Sequence, residues 1–376
     1  MILTRQLSRG AVAVAIGLAS VGALAPSASA DALTWEVVHQ VDRQVIYGVV
    51  PVTRRDVWAL TGTRPQQDYR SRPLSLRWNG SAWRRVATPT GLTGVLTAGD
   101  ALSPTDVWAI GGEEGGPSYA LRWDGAQWNV AGRWEVGDVT GITVLGPSDV
   151  WVFGAHGRDW GAGTWHYDGA TWTKMETPFA IIKASDVSPT DIWGIARGAS
   201  GDTRTVVHYD GTSWQEVPTG DVLPPDIPYS DATGTSQSVF LSGIVARSAQ
   251  DVWVTGTVSR TENEVSTQQP VLIRWNGTRW RRVDVPGAGA IDKITPDGRR
   301  GFWFAARPGP EEPQVIRHRS GGGVWTTAAV TTPAGTVPAL YDLALVPGTR
   351  QVYGVGLLQA VDPVVHNTGA IFRLVR

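Results

Sequence analysis

The chain of 376 residues carries Lys+Arg 33 against Asp+Glu 34, a formal net charge of -1, and Cys 0. That length allows one large core or two ordinary domains. The even charge argues against a nucleic-acid binder, which needs a basic stripe, and without cysteine there is neither a disulfide framework nor a cysteine nucleophile.

From the N-terminus, Arg5 and Arg9 flank the start of the apolar stretch "AVAVAIGLASVGALA", and "PSASA" places Ala28-Ser29-Ala30 before Asp31. A basic segment, a short apolar segment and a small-x-small site predict a secretory signal peptide over 1–30 and a protein that works outside the cell. The remainder, 31–376, is expected to form one domain, and no later segment is apolar enough to span a membrane.

Two phrases then recur. The first reads "RRDVWAL" at Arg54, "PTDVWAI" at Pro104, "PSDVWVF" at Pro147, "PTDIWGI" at Pro189 and "AQDVWVT" at Ala249, with weaker copies "RRGFWFA" at Arg299 and "TRQVYGV" at Thr349. Its aromatic anchors are Trp58, Trp108, Trp151, Trp193, Trp253, Trp303 and Tyr353, at intervals of roughly 40 to 60 residues, a period typical of propeller blades. The second phrase follows each time, as in "LRWNGSAW" at Leu76, "LRWDGAQW" at Leu121 and "VHYDGTSW" at Val207. Asn-Gly or Asp-Gly between extended aromatic segments predicts a tight two-residue hairpin turn. Each unit therefore reads as strands A, B, C and D, with "DVW" on B and a tryptophan opening D. No unit contains a convincing helix.

The last unit runs out after strand C, near Ala370–Leu374, while "WEVV" at Trp35 has the form of a strand D. The predicted fold is all-β: a seven-bladed β-propeller of four-stranded antiparallel blades, its ring closed by the N-terminal strand joining the last blade. The repeated tryptophans are then blade-to-blade packing. The Asp before each "VW" (Asp56, Asp106, Asp149, Asp191, Asp251) is expected to accept backbone N–H groups in a turn. Spread over separate blades, these carboxylates cannot converge on a metal, and no cofactor is implied.

Connection lengths locate the expected working face. The A–B and C–D turns are short, whereas the B–C and D–A connections vary up to "TVSRTENEVSTQQP" and the stretch 218–238. Variable loops on a rigid scaffold are where recognition residues gather. Trp134, Trp160 and Trp165 have no recurring slot, and His156, Arg158, Asp159, Arg133 and Glu135 lie near Trp134 and Trp160 in sequence. An aromatic plate beside carboxylate and guanidinium groups suits a sugar, although Trp134 and Trp160 could instead pack their own loops. Tyr69, Asp68, Arg72 and Tyr229 are weaker candidates on the same face. Pro224, Pro225, Ile227 and Tyr229 form the candidate hook for a protein partner, because prolines limit the entropy lost on binding.

Evidence for catalysis is thin. There is no H-E-x-x-H and no G-x-S-x-G. A carboxylate pair for glycoside cleavage could draw on Asp68, Glu113, Glu114, Asp159, Glu262 and Glu264, and an enzyme acting on polysaccharides, a lyase or hydrolase, stays as the alternative to a binding module.

Through "SPTDVWAIG…LRWDGAQW" the chain from Trp35 to Arg376 resembles secreted actinobacterial propellers of the broad kelch and galactose-oxidase-like kind. It lacks the cysteine and the tyrosine–histidine copper set of galactose oxidase itself. It is also similar to the lectin-like propeller subunits of umbrella-shaped antibacterial toxin particles. That resemblance implies a noncatalytic module binding a cell-surface glycan at one site and a partner protein at another.

Overall fold

The computed structural model describes residues 33–63, 71–135, 137–154, 161–197, 204–231, 233–309, 312–362 and 366–375. The expected signal peptide lies outside them. Among the described residues every regular element is a strand apart from one 3-10 turn, Gly220–Val222, and no helix is long and apolar enough to cross a membrane.

The first four-stranded unit shows how the repeat folds. Ile46–Thr53, Asp56–Thr63, Arg72–Trp78 and Trp83–Val86 pair antiparallel in chain order. Strands A and B alternate short polar turns with almost continuous apolar residues, because both of their faces are covered. The short C–D turn differs from expectation. Trp78 pairs with Trp83, so the connection spans Asn79 to Ala82, and the Asn79 side chain accepts N–H groups of Ser81 and Ala82 at 3.0 Å each. Gly80, at φ 93°, supplies the left-handed residue. Asp124, Asp168 and Asp210 do the same in their units, and these backbone donors hold their carboxyls below the usual range. The turn is thus organised by the Asx side chain, which is why Asn and Asp interchange freely in the second phrase.

The other units repeat this order. One sheet holds eight strands, made of two antiparallel four-stranded runs joined by a short parallel pairing of Thr34–Glu36 with Ala329–Thr331. In one of those runs the outermost strand is the N-terminal one. Thr34–Asp42 pairs antiparallel with Thr368–Val375, Trp35 opposite Leu374. Each inner strand touches the inner strand of the next unit, and the last, Thr336–Leu345, touches the first, Ile46–Thr53. The sheets therefore close into a ring around a central channel.

Tryptophans fasten neighbouring units together. The strand-B aromatic of one unit meets the opening tryptophan of the next unit's strand D: Trp58 with Trp128, Trp108 with Trp172, Trp151 with Trp214, Trp193 with Trp280, Trp303 with Trp35, and Tyr353 with Trp83. Their centroids lie 5.0–6.3 Å apart and their planes 74–83° apart, edge to face. Trp253 is the exception and packs on Phe302 instead.

The repeated Asp has a different role from the one expected. Asp56, Asp106 and Asp251 accept from Arg77, Arg122 and Arg274 at 2.7–2.8 Å, and Asp149 and Asp191 face His166 and His208 at 2.8 Å. Trp108, Trp151, Trp193 and Trp253 add an indole N–H to the same carboxylates. The Arg or His then lies over the strand-B tryptophan, as Arg77 does over Trp58 and His208 over Trp193. Where Gly301 occupies the Asp slot, Asp297 reaches back from the turn and meets His318 at 2.9 Å. An Asp occupied by turn N–H groups would leave the strand-C Arg or His short of an acceptor above an aromatic wall, and the side-chain pair removes that cost.

Candidate functional site

The expected sugar shelf does not form around Trp134. The strand Trp128–Trp134 runs longer than the first unit's Trp83–Val86, so Trp134 ends a strand D and does not belong to a link. Strand alternation turns it inward while Arg133 and Glu135 stay exposed. Trp134 is 7% exposed and packs edge-on to Trp172 at 5.3 Å and against Trp165 at 5.9 Å. Trp165, whose indole donates to the Ala162 carbonyl at 2.7 Å, is part of the same wall. Gly132 makes this possible: a Cβ there would come within 2.8 Å of the Trp172 indole nitrogen. Of the remaining sugar candidates, Tyr69, His156, Arg158, Asp159 and Trp160 lie outside the described residues. Glu113 and Glu114 line a 310 Å³ cavity that also includes Asp138, while Glu262 and Glu264 belong to a different unit.

The two longest connections fold into sheet. The segment "TVSRTENEVSTQQP" continues the strands Asp251–Glu262 and Val265–Trp275 as a hairpin. Only Asn263 and Glu264 separate the paired Glu262 and Val265, with φ 48° and 66°, the geometry of a two-residue primed turn. Beside it, Thr235–Ser248 is lengthened to match, and Ile227–Ser230, drawn from the 218–238 stretch, adds an edge strand on the strand-A side. Here strand B runs about four residues further than in the first unit, roughly 13 Å of extra sheet at the rise of a strand. Arg204 pairs with Asp226 at 3.1 Å and donates to the Pro224 carbonyl, anchoring the base. Pro225 accepts from Gln237 at 2.7 Å. The extension exposes apolar side chains, Tyr229 and Val265 at 65% each and Ile227 at 39%, and Phe240 at its base is 48% exposed. Registry puts Phe240 on one face, with Thr257 and Pro270, and Ile227 on the other, with Gln237.

The central channel holds a second group of chemically active side chains, which the repeat pattern did not single out. A 530 Å³ cavity is lined by inner-strand residues including Asp100, Lys183, Asp186, Lys293 and Asp342, with Arg197 from a strand B. Asp100 accepts the N–H of Val144 in the next unit at 2.8 Å, and Asp342 accepts that of Val49 at 3.1 Å, so two carboxylates clip adjacent inner strands. Burial pushes the Asp100 carboxyl up to about 7 against those backbone donors, and the neighbouring Asp186 adds to the rise. Burial likewise lowers Lys293, with Lys183 contributing. Tyr47 and Tyr341 meet edge to face at 5.6 Å. The signal was available in sequence: strand A alternates, and its charged residues interrupt an otherwise apolar repeat. Among the described residues no cluster of three His, Asp or Glu could hold a metal ion.

No protein-family model matches the chain, and no curated protein matches it. Among solved structures it is similar to YCF48 bound to D1 peptide, at 12% identity and TM-score 0.56, over 91% of this chain and 97% of that one. YCF48 from Cyanidioschyzon merolae gives 14% identity and TM-score 0.52 over 90% and 98%. The WD40 beta propeller domain of Doa1 gives 9% and 0.54 over 90% and 96%. At such identities the likeness is one of fold, and that fold is a β-propeller.

Proposed function

We propose that the protein is a noncatalytic recognition module that engages a partner protein through the lengthened sheet on its irregular face. The carrying observation is the set of exposed apolar side chains, Tyr229, Val265 and Ile227 on a sheet extension that the ring itself does not require, with Phe240 at its base. Propellers bind peptides, as YCF48 does in its complex with D1 peptide, and a two-sided apolar surface beside a four-residue edge strand suits a protein partner. We further propose seven blades, counting the eight-stranded sheet as two. The support is that each of its four-stranded runs has its own inner strand and its own place in the chain of aromatic contacts. The leader read over 1–30 and the resemblance to toxin-particle subunits favour a place outside the cell, within a larger secreted assembly.

The test uses the tagged protein as bait in culture supernatant. A Tyr229→Asp/Phe240→Asp variant is expected to lose at least tenfold of the captured partner while its thermal melting stays unchanged. Equal capture by a folded variant sinks the assignment.

A further inference from the structure

Each strand C sets one basic side chain opposite the strand-B aromatic, and in six units a carboxylate answers it. Arg77, Arg122, His166, His208, Arg274 and His318 each meet an Asp at 2.7–2.9 Å. Arg373 holds the same register position, opposite Tyr353, but its unit breaks the pattern. Gln351 stands in the Asp slot and donates its amide to the Leu374 carbonyl at 2.8 Å. Arg373 faces the neutral Tyr353 hydroxyl instead. Glu36 lies opposite Arg373 on the N-terminal strand, yet it is exposed and no ion pair joins the two among the described residues.

A 680 Å³ cavity opens at this break in the repeat. Arg373 lines it together with Arg54 and Arg350, which come from the A–B turns of adjacent units, and no acidic residue is among the described lining. The carboxylates nearest in sequence to the lining residues Arg54 and Gly298 are already engaged, Asp56 with Arg77 and Asp297 with His318. Three guanidiniums, which stay charged at any pH that the fold meets, therefore share one opening.

We propose that this cavity binds a phosphoryl dianion, its oxygens shared among Arg54, Arg350 and Arg373. The guanidinium fork matches phosphate oxygens in pairs. Charge selects the class: with Glu36 set against one of the three cations, two remain, which a dianion balances and a single carboxylate does not. The site lies among the A–B turns, at the opposite strand ends from the sheet extension, so it goes beyond the partner surface at Tyr229 and Phe240.

Calorimetric titrations at low ionic strength with inorganic phosphate, glucose 6-phosphate and glucuronate test it. At pH 7.5 glucose 6-phosphate is expected to bind at least tenfold more tightly than glucuronate, which carries one charge on a similar body. A phosphate ester has its second pKa at about 6, so its affinity should fall about tenfold by pH 5 as the dianion is lost. Gln351→Asp, which returns the repeat's own carboxylate to Arg373, should also lose at least tenfold. Arg54→Gln/Arg350→Gln, at two exposed positions, should do the same with unchanged melting. Inorganic phosphate separates the sources: tighter binding than the ester identifies the free ion, and equal or weaker binding identifies a phosphorylated ligand. Binding of neither phosphate, equal binding of glucose 6-phosphate and glucuronate, affinity flat between pH 7.5 and pH 5, or parent affinity in either folded variant overturns the proposal. Capture of the protein partner is expected to be untouched by these substitutions, which separates a failure here from a failure at the extension.

Discussion

At Asp191 a single carboxylate meets the His208 ring and the Trp193 indole, both at 2.8 Å. Sister units place Arg where His208 stands, with the same carboxylate and the same tryptophan beneath. His208→Arg is therefore expected to melt close to the parent protein, whereas His208→Ala leaves Asp191 short of a donor and should cost about 1–3 kcal/mol. Chemical denaturation of both variants checks the contrast; equal losses would mean that this slot does not accept Arg in place of His208. Asp100 makes the second prediction at this scale. Its folded-state pKa is raised to about 7 from 3.8, so the stability that it contributes is full below pH 4 and is lost as pH rises through about 7. Asp100→Asn keeps an acceptor for Val144 and cannot ionise. Its melting temperature, measured at pH 5 and pH 8, should rise relative to the parent at the higher pH, and a constant difference would refute the linkage.

At the scale of the element, the same kind of segment reads differently according to what pairs with it. Polar residues such as Thr257, Ser259 and Gln268 look like loop in sequence, yet registry with neighbouring strands makes them sheet. Backbone hydrogen bonds satisfy an extended chain whatever its side chains are, provided a neighbour lies alongside. Trp134 was misplaced for the related reason that strand length depends on the partner strand Ser118–Trp123. The primed turn at the tip gives the prediction here. Glu264 holds φ 66°, a conformation that glycine adopts without strain, so Glu264→Gly should strengthen the hairpin by about 0.5–1 kcal/mol. Slower amide exchange in Thr257–Glu262 would report it, and faster exchange would contradict it.

Across the whole molecule, closure depends on the strand Thr34–Asp42. Trp35 is fully buried and meets Trp303 at 5.5 Å, so the first and last parts of the folded chain share one core. Trp35→Ala is expected to cost about 3–5 kcal/mol through the cavity it leaves. Deleting 33–42 goes further: it exposes Thr368–Val375 as an unpaired edge and should promote self-association relative to the parent. Size-exclusion chromatography of that truncation against Trp35→Ala distinguishes lost packing from an opened edge.

Sequence alone determined the repeat, the four-strand order within each unit, the structural role of the recurring tryptophans and the supply of the outermost strand by the N-terminus. These are legible because each unit solves the same local packing problem with the same residues, so the solution is written several times over. Only the tertiary structure decided that the Asp of "DVW" pairs with a side chain, that Trp134 is core, that two apparent loops extend a sheet and that Lys183 and Lys293 share a channel. Each of those depends on a neighbour distant in sequence, and a contact made once between units leaves no period for the sequence to display.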